Sequence, residues 1–231
     1  VKVRPSAMCW WEKDGADVKL HLDVRCGTYG VELGGRKLEV AKIVMTSYAL
    51  EEADTPVEVF EACRAFCSEM CDDPDCRDTV IYGGNNWYYA YGKSSAKEIL
   101  GDSAYLAEMT EGIENRPFMV MDDGWQIDHS DSYNGGPWRV GNADYGDMGE
   151  LAAQMRAKNV RPGIWFRPLY DHSADIPAEW RLERNAEVFD ISVPEVLEHI
   201  AQDIRQLGDW GYELIKHDFS TYDIFGCWGF E

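Results

Sequence analysis

Lys216 and Asp218 stand two residues apart at the end of a short apolar run, Tyr212-Glu213-Leu214-Ile215-Lys216-His217-Asp218-Phe219. Side chains alternate along an extended chain, so the cation and the carboxylate would share one side while His217 faces the other. A carboxylate beside an ammonium is a candidate nucleophile. Taken alone, the same Lys-X-Asp is equally a solvated pair of little energetic weight. Asp122-Asp123-Gly124-Trp125 closes another apolar run. Adjacent carboxylates there are compatible with an acidic turn or a divalent-metal site. They could also accept hydrogen bonds from neighbouring sugar hydroxyls, with Trp125 as an apolar wall. Trp87 and Trp165 fall near the ends of two further runs, where an indole face could line a sugar pocket, although tryptophan is more often core.

The elements that must carry these residues alternate in type. Apolar runs at 79–82, 117–121, 160–166 and 212–216 are predicted as strands. Between them, Ser95-X-X-Glu98 and Ser192-X-X-Glu195 are capping boxes that open helices. The first helix would turn Ile99, Leu106 and Met109 inward, and the last would turn Leu197, Ile200, Ile204 and Leu207 inward and end at Gly208. A middle helix would bury Met148, Leu151, Ala152 and Met155. Strands separated by helices make a parallel α/β sheet, and two folds supply one: an open doubly wound sheet and a (β/α)8 barrel. The Gly-X-Gly-X-X-Gly fingerprint of the first is missing after the first strand. Chemistry-bearing residues instead follow every strand, which favours the N-terminal half of a (β/α)8 TIM barrel over residues 79–231. Ahead of it, residues 1–54 read as a β-rich segment resembling the end of a β-sandwich, with strands at 18–24 and 38–45. Residues 55–78 read as a helical linker.

Composition narrows the partners. The chain carries 22 basic and 42 acidic side chains, a formal net charge of −20. That field repels nucleic acid and anionic membrane and leaves a neutral ligand as the better fit. Val1 opens no basic-then-apolar leader, so a cytoplasmic location is expected, or a secreted one if a leader has been removed. Seven cysteines are present. Cys63, Cys67 and Cys71 recur at helical spacing without a nearby histidine and match no standard zinc pattern, so small apolar residues on a buried helical face is the favoured reading. A disulfide through Cys71 or Cys76 is the alternative. No metal and no cofactor are expected, and homo-oligomerisation is left open.

The motifs Gly84-Asn85-Asn86-Trp87, Met121-Asp122-Asp123-Gly124-Trp125, Gly163-Ile164-Trp165 and Ile215-Lys216-His217-Asp218, in that order, resemble the barrel signatures of clan D glycoside hydrolases. The resemblance is greatest to glycoside hydrolase family 36, the α-galactosidases and raffinose synthases, with family 27 as a near relative. It covers residues 79–225. It implies a retaining hydrolase of α-galactosides in carbohydrate metabolism, with Asp218 as nucleophile and Lys216 on sugar hydroxyls. It also places Asp122 and Asp123 on the 4- and 6-hydroxyls of galactose and makes Trp87 and Trp165 walls of the pocket.

Two motifs depart from the family. The strand-end triplet reads Lys-His-Asp where relatives usually have Lys-Trp-Asp, and Arg167-Pro168-Leu169 stands where many have Pro-Glu. The family's general acid/base follows a sixth strand, for which residues 79–231 have no counterpart. The expectation is therefore a chain whose barrel is completed by further sequence or by a partner, and which is inactive or nearly so by itself. Transfer of galactose to another sugar, non-catalytic carbohydrate binding, and a metal-dependent hydrolase using Asp122, Asp123 and His217 are the alternatives.

Overall fold

A computed structural model describes residues 8–23, 34–35, 37, 56–69, 79–183 and 185–226. The chain divides into two compact units, Val1–Asp78 with Trp228–Glu231, and Thr79–Cys227.

In the first unit, strands β1 (Met8–Asp14) and β2 (Asp17–Asp23) form an antiparallel hairpin registered from Met8↔Asp23 to Asp14↔Asp17. Cross-strand pairs hold it: Trp10 stacks on His21 with ring centres 4.9 Å apart, and Lys19 bridges Asp14 at 3.0 Å. Only β2 was expected. Helix α1 (Pro56–Glu69) begins with proline, whose fixed φ suits a first helical position. Its Cys63 and Cys67 are exposed free thiols, which corrects the expected buried face. The proposed strand at 38–45, Cys71 and Cys76 lie outside the described residues.

The second unit is built on a four-stranded parallel sheet in the order β3 (Gly83–Asn85), β4 (Phe118–Met121), β5 (Arg161–Phe166), β8 (Leu214–His217). Spatial order follows chain order. The turn α2 (Trp87–Ala90) and helix α3 (Ala96–Met109) join the first two strands, and α4 (Met148–Ala157) joins the next two. A short hairpin, β6 (Arg181–Leu182) with β7 (Asn185–Phe189), and helix α5 (Pro194–Asp209) lead to β8, after which α6 (Ser220–Phe225) follows.

Sequence patterning places most of these elements, with corrections at their edges. The first strand lies at Gly83–Asn85 rather than 79–82; Val80 and Ile81 are 70% and 54% exposed. The reason is steric: a Cβ on Gly83 would sit 1.8 Å from the Phe118 carbonyl oxygen, so this close approach to β4 is open only to glycine. Ser95 caps α3 as expected, its Oγ accepting from Glu98 N–H at 3.4 Å. Met109, expected inside, is 64% exposed. In α4 all four expected residues, Met148, Leu151, Ala152 and Met155, are buried. Truncating Leu151 to alanine there would cost roughly 2–5 kcal/mol.

Helix α5 differs most. Ser192 does not cap it; Val193 occupies the N-cap position without a side-chain capping bond, Pro194 stands in the first turn, and Ser192 N–H donates to Asp190 Oδ1 at 2.9 Å. The buried stripe runs Val196, Asp203, Leu207, with Ile200 partly covered, while Leu197 and Ile204 are exposed. Ile200 and Leu207 keep their expected side, but Val196 and Asp203 take the inward places of Leu197 and Ile204, which brings a carboxylate onto the buried face. Nor does Gly208 end the helix, which continues to Asp209 with Trp210 as its cap.

The core behind the sheet is aromatic. Trp138 packs on Trp125, Trp165 and Phe166 with ring centres 5.6, 5.7 and 5.1 Å away. The tilts and edge-on angles are those that aromatic quadrupoles favour.

Candidate active site

The C-terminal ends of β3, β4, β5 and β8 bring one polar cluster together. Asp122 follows the last residue of β4 and is 2% exposed. Its Oδ2 accepts from Lys216 Nζ at 2.6 Å and from Asn85 Nδ2 at 2.5 Å, and its Oδ1 accepts from Asp123 N–H at 2.9 Å. Asn86 fixes the backbone of the same residue, Oδ1 accepting from Asp122 N–H at 2.8 Å. A charge-assisted bond of this kind is worth about 1.5–3 kcal/mol.

Lys216 reaches onward to Asp218, Nζ to Oδ2 being 3.9 Å. Parallel register sets Lys216 beside Trp165, and from there the indole Nε1–H donates to Asp218 Oδ2 at 3.0 Å. The other carboxylate oxygen accepts from Phe219 N–H at 2.8 Å. Asp218 N–H donates to the Phe166 carbonyl at 3.0 Å, so both backbone and carboxylate are fixed while the side chain remains 31% exposed. Phe219 achieves this in a left-handed conformation, φ +64°. For a bulky side chain that costs about 1–3 kcal/mol, and such strain concentrates at functional sites.

Asp123, adjacent in sequence, is drawn elsewhere. Its Oδ1 accepts from Gln126 Nε2 at 2.8 Å and lies 3.9 Å from His129 Nε2. Burial pushes its carboxyl above the ordinary value, opposed by Gln126, His129 and Asn134. Gly124 makes the sharp departure possible: its φ is +117° and a Cβ would fall 2.4 Å from the Gly92 carbonyl oxygen.

The tryptophans need correction. Trp125 has no exposed surface and packs among Trp138 and Trp210, so it offers no wall to a sugar; its Nε1–H instead donates to the Trp165 carbonyl at 2.9 Å. Trp165, 1% exposed, likewise presents an N–H to Asp218 rather than a ring face. Trp87 is half-buried in α2, edge-on to Tyr91, and its backbone N–H is held by Asn85 Oδ1 at 2.9 Å. The three groups of the metal-hydrolase alternative do not converge. His217 is exposed and bonds Ser220 Oγ at 2.5 Å, while Asp122 and Asp123 are held by separate donors.

Sequence reasoning missed the supporting groups: Asn85, Asn86, Gln126, Asn134, and a buried ion pair between Arg167 and Asp223. The signal available was the polar character of Asn85-Asn86 and of Arg167 at strand ends, where apolar residues would be expected if the ends were only core. A cavity of about 400 Å³ opens near Gly124 and His129, lined also by Ser95, Glu98, Asn142 and Asp144. None of Asp122, Asp123 or Asp218 lines it.

The molecule is thus a parallel α/β sheet whose strand C-termini share a carboxylate–lysine–carboxylate cluster. Among solved structures, its fold is similar to the galactosidase domain of the α-galactosidase–sucrose kinase AgaSK, with a TM-score of 0.53 and 22% identity over 64% of this chain. The match spans 24% of that chain. Weaker likenesses are to the α-galactosidase TtGalA from Thermus thermophilus (TM-score 0.47, 23% identity, 63% of this chain and 32% of that one) and to the family 36 α-galactosidase AgaA from Geobacillus stearothermophilus (0.48, 23%, 61% and 21%). No family model and no curated protein matches the chain.

Proposed function

We propose that residues 79–226 form the first half of a (β/α)8 barrel and that Asp218 is the nucleophile of a retaining glycoside hydrolase acting on α-galactosides. The observation that carries this reading is the Asp218 carboxylate itself, aimed by two N–H donors, flanked by Lys216, and still open to solvent. Four parallel strands adjacent in chain order, with the polar residues at their C-terminal ends, support the barrel. The likeness of fold to the galactosidase domain of AgaSK supports it too.

In this mechanism Asp218 attacks the anomeric carbon and forms a covalent galactosyl-enzyme, while Lys216, Asp122 and Asp123 hold sugar hydroxyls. A second carboxyl group about 5–5.5 Å away protonates the leaving oxygen and then activates water. Asp122 is committed to Lys216 and Asn85, and Asp223 to Arg167, so neither can shuttle that proton. The acid/base is assigned to sequence outside the described residues, and the 231-residue polypeptide by itself should turn over aryl α-galactosides very slowly. Replacing water by a sugar acceptor would make the same intermediate a transferase intermediate.

The test is a slow fluorinated galactosyl substrate applied to the complete native protein. Mass spectrometry should find the sugar on the peptide containing Asp218, and Asp218→Asn should abolish hydrolysis while galactose binding by calorimetry survives. Undiminished turnover in the variant would sink the assignment. A protein that binds galactose but never labels would instead be a carbohydrate-binding protein, a reading favoured by the engagement of every described carboxyl near Asp218 with a cation or amide.

A further inference from the structure

Arg167 is the residue that departs from the family pattern after β5, and it is almost wholly buried, 5% exposed. Its guanidinium makes contacts on every side. Nε donates to both oxygens of Asp223, at 3.2 and 3.1 Å, and Nη2 donates to Oδ1 at 2.5 Å. Nη1 donates to Asn134 Oδ1. Its Cζ also lies over the rings of Tyr170 and Phe219, 3.9 and 4.3 Å from their centroids.

These contacts lead to the candidate site along two routes. One runs through Phe219, the left-handed residue whose N–H holds Asp218 Oδ1. Arg167 covers its ring, and Asp223, clamped by the same guanidinium, donates its backbone N–H to the Phe219 carbonyl at 2.9 Å. A strained backbone persists only where its surroundings over-determine it, and these contacts do so. The other route runs through Asn134, which accepts from Arg167 Nη1 and is one of the groups that hold the Asp123 carboxyl down against the effect of burial.

We propose that Arg167 is a positioning residue for both ends of the sugar site, aiming Asp218 through Phe219 and holding Asp123 through Asn134. The proposal rests on the reading of Asp218 as nucleophile. A buried ion pair that served only the fold would need neither route. A flat guanidinium with a five-donor fork can occupy both at once, and a lysine cannot.

Three variants of the complete native protein test it. Arg167→Lys keeps a cation beside Asp223 but loses the fork and the stacking. It should lower kcat at least about tenfold, as expected for a misaimed nucleophile, and also weaken galactose binding severalfold. Phe219→Leu should lower kcat with galactose affinity preserved, and Asn134→Ala should weaken galactose binding with kcat preserved. If Arg167→Lys does not fold, as judged by near-ultraviolet circular dichroism, the other two variants still decide. A folded Arg167→Lys with unchanged kcat and affinity overturns the proposal, as does a Phe219→Leu and Asn134→Ala pair that both lose kcat equally. Labelling of wild-type Asp218 by the fluorinated galactoside separates the two readings. No label on Asp218 removes the nucleophile assignment, whereas a labelled wild type with Arg167→Lys labelling at the same rate removes only the role of Arg167.

Discussion

Two of the clusters in the second unit that pair buried carboxylates with cations, one at the strand ends and one on α5, differ in an instructive way. At the strand ends, the Asp122 carboxylate receives donors from Asn85 on β3, Lys216 on β8 and the Asp123 N–H, and its lysine also reaches the half-open Asp218. On α5, Asp203 is 2% exposed and meets Arg139 Nε at 3.3 Å and His199 Nε2 at 3.5 Å. Those contacts are longer than the roughly 2.7–2.9 Å of strong charge-assisted bonds. They tie one helix to a loop, and the carboxylate itself is covered while Arg139 lies half exposed. Burial of a charge is common to both clusters, so burial does not define a site. What distinguishes the first is convergence from separate strands with an acceptor still reachable by a ligand.

Substitutions can break or sharpen that contrast. The largest effect is expected from Asp122→Asn, which turns an amide donor toward Lys216 or Asn85. Losing one or two charged bonds at about 1.5–3 kcal/mol each should lower galactoside kcat/KM by roughly 10²–10³-fold. Lys216→Met removes the link between the two carboxylates, and a fall of roughly 10–10²-fold is expected, discounted because Lys216 is 37% exposed. Steady-state kinetics on an aryl α-galactoside measures both, and an Asp122→Asn enzyme of normal kcat/KM would dissolve the distinction between the clusters.

Asp203→Asn should leave turnover unchanged and alter only pH behaviour. Burial raises the Asp203 carboxyl above its ordinary 3.8 in the folded protein. The folded state therefore binds that proton more tightly than the unfolded chain. The resulting stabilisation is full below the unfolded value and is lost as pH rises through the raised folded value. An asparagine carries no such proton, so Tm against pH should be flatter for the variant above about pH 4, and a steeper curve would contradict the burial argument. The smallest effect belongs to Ser95→Ala, which removes the α3 cap: about 1 kcal/mol of stability, a Tm drop of a few degrees, and no change in kcat.

Much of this was legible in the sequence where local rules govern. The period of Met148, Leu151, Ala152 and Met155 determined a helix face, and the Ser95-X-X-Glu98 box determined where α3 starts. The alternation of Lys216 and Asp218 across His217 put those two on one side of the chain, as extended geometry favours, and they lie 3.9 Å apart. Patterning failed where a neighbour outside the window decides. Gly83 rather than Val80 carries the first strand because β4 demands close approach, and on α5 the packing takes Val196 and Asp203 inward in place of the apolar Leu197 and Ile204.

Tertiary structure alone decided the division of labour around the cluster. Adjacent Asp122 and Asp123 read as one acidic pair, yet the Gly124 turn sends them to different donors. Trp125 and Trp165 read as ligand walls, yet the sheet buries both rings and spends their indole N–H groups on positioning. The residue types and their order along the chain specify what chemistry can be present. Which oxygen the long-range donors reach depends on strand register and on packing between residues 36 or more positions apart, and that information lies in no local window.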